Sequence, residues 1–284
     1  MQKFAARTDL ASEEHERLRR SAGQLRGVKA ESTRCHNMPI TAVSVLDDEG
    51  ARALGKPVGT YYTLELDDYV SRRENAFSDA ALAISELLSR FDCVKSARSL
   101  LVACLGNRAV TPDALGPSAA DKLIVTRHLK ASLPEQFAAF RSVSVWRTGV
   151  LGTTGIESAR SLKAICDAVA PDCVIAVDAL ASAELSRLCK SVQICDSGIS
   201  PGSGVGNDRA ALDAQTLGVP VIALGVPTVT DAAAFTDEEA AKGLFVTPRG
   251  IDELVRSAAK LIAYGLNLAL HPGLSIGDID LLVE

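Results

Sequence analysis

Three short runs in the second half of the chain, "SLLVACLG" (99–106), "CVIAV" (173–177) and "VPVIALGVP" (219–227), are apolar at consecutive positions rather than alternate ones. A strand that reads this way is buried on both faces, which is the signature of a sheet covered by helices above and below. Segments of helical period stand between and after them: "GPSAADKLIVTRHL", "GIESARSLKAICDAV" and the long "GIDELVRSAAKLIAYGLNLAL". "SVSVW" and "SVQIC" read as further strands, and "SAELSRLC" as a short helix. The expectation is an α/β fold with a mainly parallel sheet covered on both faces. Residues 37–70 read as a β-rich elaboration: "ITAVSVLD" and "GTYYTLEL" form a hairpin-like unit. Before it, "ASEEHERLRRSAGQLRG" reads as a surface helix with Ser12 as N-cap and Gly27 as its stop.

The remaining features exclude several classes. A net charge of −5 argues against a phosphate-tracking surface, and the basic run "ERLRRSAGQLRGVK" reads as a solvated helix face. No apolar run is long enough to span a bilayer, and "MQKFAARTDL" has no apolar signal region. The seven cysteines are odd in number, lack a C-x-x-C and sit partly in strand-like runs, as reduced core thiols of a cytoplasmic protein do. The four histidines form no H-E-x-x-H, so neither a metal nor another cofactor is called for.

In open α/β sheets, ligands lie beyond the carboxyl ends of the strands. Those ends carry Asn107 and Asp113 after the first run, Asp178 after the second, and Asp196, Ser203, Gly204 and Asn207 after "SVQIC". Asp178 ends an apolar strand and is expected at the rim. Two carboxyls that face each other share one proton, so that one serves as base and the other as acid, as amide hydrolysis needs. Asp113 and Asp178 fit that arithmetic. Asp196, Asp113 and Asp178 also offer oxygen ligands for a cation, which gives a metal-dependent peptidase as a second reading. A third is a non-catalytic protein whose glycine loops hold an anion. "DSG" at Asp196 matches the motif of pepsin-like proteases, but those are all-β. "GISPG" matches the serine nucleophile elbow, but Pro201 holds Ser200 extended where the elbow needs a tight turn.

"RTDLA" (7–11), "TYYTLE" (60–65), "LGNRAVTPDALGP" (105–117), "TTGIES" (153–158), "VIAVDALAS" (174–182), "DSGISPGSGVGN" (196–207) and "LGVPVIALGVPTVTDA" (217–232) occur in an order that resembles the germination protease family of spore-forming bacteria. The resemblance runs from about residue 7 to 271. It implies an α/β fold similar to the hydrogenase-maturating endopeptidases. It implies an aspartic-type endopeptidase, a homotetramer in the spore core, that degrades small acid-soluble spore proteins on germination. The implied cut follows an acidic residue and precedes a hydrophobic residue and alanine. The implied catalytic pair is Asp113 and Asp178. The family makes a zymogen that cuts itself near its N-terminus; "TDLASE" then suggests residues 1–9 as a propeptide, released between Asp9 and Leu10 in an accessible stretch, and 10–284 as the peptidase domain. One departure stands out: the segment between "PTVTDA" and "VTP" is shorter than the family's.

Overall fold

The computed structural model describes residues 7–283, except 24, 207–208, 237–240 and 242. Its strands are β1 (Val28–Cys35), β2 (Met38–Val45), β3 (Gly59–Glu65), β4 (Ser99–Leu105), β5 (Ser142–Gly149), β6 (Cys173–Ala181), β7 (Ser191–Cys195), β8 (Val221–Asp231) and β9 (Phe245–Val246). They form one sheet in the order β1-β2-β3-β7-β8-β6-β4-β5, with β9 added to β8. The sheet has two halves. β5, β4, β6 and β8 run parallel, whereas β7, β3, β2 and β1 pair antiparallel from β8 outward.

The doubly apolar strands are where the sequence pattern requires them. On β4, Leu100, Val102 and Cys104 face one layer, and Leu101, Ala103 and Leu105 face the other. The first layer contains the helices Ala76–Ser89, Leu115–Ala120 and Ile251–Leu270. Gly265 lets two of these touch, since a Cβ there would meet the Ile84 side chain at 2.5 Å. Ser158–Val169 covers the other face of the parallel half, while Ala11–Ala22 and Asp48–Leu54 lie against the antiparallel half.

Several local readings change. β1, "VKAESTRC", was not visible as a strand: six of its eight residues are exposed, because it is the sheet edge and has one neighbour. The tight hairpin is therefore β1–β2, turned by His36 and Asn37, and both have positive φ (45° and 65°). β2 and β3 do pair antiparallel, but through the helix Asp48–Leu54. The first helix starts at Ala11 with Leu10 at its cap and stops at Gly23; Ser12 is buried inside it and accepts from the Thr63 hydroxyl at 3.0 Å. "GPSAADKLIVTRHL" breaks into Leu115–Ala120 and Arg127–Ser132, and "SAELSRLC" supplies only a 3-10 turn at Leu185–Arg187. All seven cysteines are free thiols, and no helix of the described residues is long and apolar enough to cross a membrane.

Candidate active site

β6 does not end at Asp178. It continues through Ala179, Leu180 and Ala181, so the carboxyl lies inside the strand rather than at its tip. The ladder with β8 continues past Asp178, which stands opposite Gly225, and shifts register by one residue only between Leu180 and Ala181. A Cβ at 225 would meet the Asp178 carbonyl oxygen at 2.7 Å and the Leu180 side chain at 2.6 Å, so glycine allows this close pairing. Asp178 is buried, and its Oδ1 accepts the Ala179 N–H at 2.9 Å. Burial, and then the negative charge of Asp113, push its pKa well above the carboxylate range; the Ala179 N–H opposes them.

Asp113 closes a 3-10 turn, Thr111–Asp113, in the loop after β4, and Pro112 stiffens that turn. The Asn107 N–H lies 2.8 Å from its Oδ2 and 3.1 Å from its carbonyl oxygen. Asn107 thus contributes its backbone; its side-chain oxygen accepts from Ala109. Gly106 has a φ of 106°, and a Cβ there would lie 2.0 Å from the Asp113 carbonyl oxygen, so the loop needs glycine at this point. Burial raises the Asp113 pKa to about 6, against the pull of the Asn107 N–H. Asp113 and Asp178 border the same cavity of about 650 Å³. Two carboxyls with raised pKa values in one partly apolar cleft are chemically suited to proton transfer with a bound water.

A third carboxylate, Asp9, borders that cavity and a smaller one of about 220 Å³ that also touches Asp178. Its N–H donates to the Ala181 carbonyl at 3.0 Å, and its Oδ2 accepts the Ala181 N–H at 2.8 Å. Ser203 donates its hydroxyl to Oδ1 at 2.9 Å. Gly204 packs beneath: a Cβ there would meet Asp9 Oδ2 at 2.2 Å and the Ala181 Cβ at 2.5 Å. The accessible stretch expected around Asp9 and Leu10 is not what the fold provides, because Leu10 is completely buried. The "RTDLA" segment is held by the end of β6 and by Gln193 rather than left in solvent.

Of the other candidates, Asp196 lies apart from the pair. Its Oδ1 accepts the Thr60 N–H at 2.7 Å on the antiparallel side, and it does not border the larger cavity. Asn207 falls outside the described residues. Asp113, Asp178 and Asp196 form no three-ligand cluster of the kind that holds a metal ion, so the metal-dependent reading lacks its ligand set.

Sequence reasoning missed Gln193, Gly225, Lys56 and Arg209. Gln193 donates Nε2–H to the Asp9 carbonyl at 2.9 Å and accepts the Ala11 N–H at 2.8 Å. A glutamine at the centre of "SVQIC" was the available signal: a polar side chain inside a buried strand needs partners. Lys56 donates to the Thr8 carbonyl at 2.9 Å; burial lowers its pKa and Asp9 opposes that. Arg209 borders the larger cavity and pairs with Glu157 at 3.1 Å.

Known proteins share this sequence over nearly its whole length. The sequence pattern of the family Peptidase_A25, described as germination protease, matches residues 5–242. A germination protease of Caldanaerobacter subterraneus subsp. tengcongensis is 40% identical over 319 aligned positions, covering 98% of both chains. One from Clostridium perfringens is 36% identical over 320 positions with the same coverage. Among solved structures, a [NiFe] hydrogenase maturation protease, HycI from Thermococcus kodakarensis, matches 62% of this chain and 96% of its own with a TM-score of 0.38 and 20% identity. That likeness is too distant to carry an argument, and the α/β architecture rests on the sheet itself. The full-length matches to the sequence decide the assignment: the chain belongs to the germination protease family of peptidases.

Proposed function

We propose that this chain is an aspartic-type endopeptidase that opens the degradation of small acid-soluble spore proteins in the spore core at germination, with residues 10–284 as its peptidase domain. The observation that carries the reading is the placement of Asp113 and Asp178 on one cavity, each with its pKa raised. Asp178 is the more deeply buried and keeps the proton; Asp113 ionises first. Asp113 then takes a proton from water as that water attacks the scissile carbonyl, and Asp178 protonates the carbonyl oxygen. The tetrahedral adduct collapses as a proton passes to the leaving amine. The pair ends with one proton, as it began. A non-catalytic anion site fits poorly, because the carboxylates on this cavity would repel an anion.

The same reading includes self-processing between Asp9 and Leu10. "Asp9-Leu10-Ala11" has the acid, hydrophobe and alanine order that the family resemblance implies for substrates, and Asp9 already borders the cavity of the pair. The burial of Leu10 supports a zymogen: the segment must detach before its peptide bond reaches the catalytic carboxyls. The assembly is a homotetramer, four chains of 29.8 kDa, which light scattering measures directly. The central test is incubation of the matured protein with a small acid-soluble spore protein, with products identified by mass. Cuts after Glu or Asp before a hydrophobic residue and alanine support the reading; an intact substrate after complete maturation overturns it.

A further inference from the structure

The turn of the edge hairpin brings together a group of side chains that peptide hydrolysis does not use. Cys35 ends β1, His36 is the first turn residue, and Glu86 comes from the helix Ala76–Ser89 that packs against them. One ligand atom from each (a thiol sulfur, a ring nitrogen and a carboxylate oxygen) lies within 4.8 Å of both others. His36 Nε2 is 3.1 Å from Glu86 Oε2. In a tetrahedral zinc site with bonds of roughly 2.0–2.3 Å, neighbouring ligand atoms stand about 3.3–3.8 Å apart, so a small inward or outward adjustment is enough.

We infer that Cys35, His36 and Glu86 form a three-ligand site for a thiophilic divalent cation of the Zn²⁺ class, with a fourth position open to water. Three features support it. The ligands come from two different elements, so a bound ion would clip the edge hairpin to the helix. Glu86 is already oriented: Arg90 donates to its Oε1 at 2.7 Å, which leaves Oε2 turned toward the histidine. This is the outer hydrogen bonding that metal-bound carboxylates use. His36 is also held at a φ of 45°, a conformation in which non-glycine residues are uncommon and which brings its ring to the cluster. The donor set of sulfur, imidazole and carboxylate suits Zn²⁺ or Co²⁺ better than Mg²⁺ or Ca²⁺, which prefer oxygen alone.

The surrounding charges are mixed. Arg90 stacks over Tyr62 with its guanidinium carbon 5.5 Å from the ring centroid, and Arg34 donates to the Asn37 carbonyl. Asp79, in contact with the Asn37 side chain at 3.4 Å, adds negative charge. Binding replaces the thiol proton: the sulfur–hydrogen bond breaks, a sulfur–metal bond forms, and one proton passes to the buffer. No electron changes hands. β1 is the sheet edge, separated from β6 by four strands, so the cluster is on the order of 25 Å from Asp178 at ~4.8 Å per strand. The ion would therefore act on the hairpin and leave the hydrolytic step alone.

The test is a Co²⁺ titration of the metal-stripped full chain, followed by absorption. The expected result is one equivalent of cobalt with a thiolate-to-metal charge-transfer band, displaced by Zn²⁺ with no loss of peptidase activity. His36→Gln and Glu86→Gln change exposed side chains, should fold normally, and should each weaken uptake by at least about 10-fold. Cys35→Ser should abolish the charge-transfer band. No stoichiometric band in the wild type, an equally tight band in His36→Gln and Glu86→Gln, or an unchanged band in Cys35→Ser overturns the site.

Discussion

Asp9 gives its amide hydrogen to the carbonyl of Ala181 and takes the Ala181 amide hydrogen back on its own side chain, at 3.0 and 2.8 Å. Two residues 172 positions apart are thus closed into one hydrogen-bonded ring, three residues past Asp178 on the same strand. If Asp9–Leu10 is the processed bond, the mature chain starts at Leu10, and Asp178→Asn stays full length. Terminal sequencing after activation checks this; any other start would sink the assignment.

The seat of Asp9 can be disturbed without touching the catalytic pair. Gly204→Ala places a methyl where Asp9 Oδ2 now lies, and overpacking of this kind typically costs about 1–3 kcal/mol. Gln193→Leu leaves the Asp9 carbonyl and the Ala11 N–H unpaired, at about 1–3 kcal/mol for each buried group. Both variants should show faster hydrogen exchange at residues 9–11 while β4 stays protected. Unchanged exchange in both would mean that the segment is held by something else.

Asp113→Asn and Asp178→Asn keep shape and remove proton transfer. Each should fold, with activity reduced roughly 10²-fold or more, as loss of a general acid or base entails. Circular dichroism establishes folding and peptide cleavage establishes rate. Near wild-type cleavage by folded Asp178→Asn would make that carboxyl structural.

The raised acids also predict a pH signature. A carboxyl whose pKa is raised by folding holds its proton more tightly folded than unfolded. Between about 4, where the unfolded side chain titrates, and about 6, where Asp113 does, unfolding releases a proton. The contribution to stability is therefore complete below about 4 and is lost as pH rises through about 6; Asp178 extends that loss upward. The thermal midpoint of the Asp113→Asn/Asp178→Asn double variant should gain on that of the wild type as pH rises from 4 to 7. A constant difference would contradict the raised values. In wild type, kcat/KM should climb near pH 6 and fall again where the pair loses its second proton, both limbs belonging to the pair rather than to one residue.

The parallel half of the sheet was legible because strands buried on both faces leave an unbroken apolar run, as in Leu100–Leu105. The antiparallel half was less so: β1 is an exposed edge whose polar residues look like a loop, and only its partner β2 carries a buried pattern. Asp113 and Asp178 were found because strand ends concentrate chemistry, yet the strand was expected to end at Asp178, three residues short of its real end at Ala181. Nothing in "DALA" says that the ladder with β8 continues, since that depends on Gly225, 47 residues later. Asp196 was misplaced for a related reason: it also ends a strand, but β7 runs antiparallel to β8, so that its end points away from the pair. The Asp9 seat is built from residues 181, 193 and 203, and of these only the glutamine inside the buried strand "SVQIC" signals locally that it needs partners.

That seat also sets an order of events during synthesis. Asp9 leaves the ribosome long before Gln193, 184 residues later in the chain. At the usual 5–20 residues per second the delay is about 10–40 s, during which the segment can reach Lys56 and the β2–β3 side of the sheet but not the Gln193 side chain that holds the Asp9 carbonyl. The nascent peptide therefore spends most of its manufacture with Asp9 unseated, and the contacts that close it over the site wait until β6, β7 and Ser203 have been made.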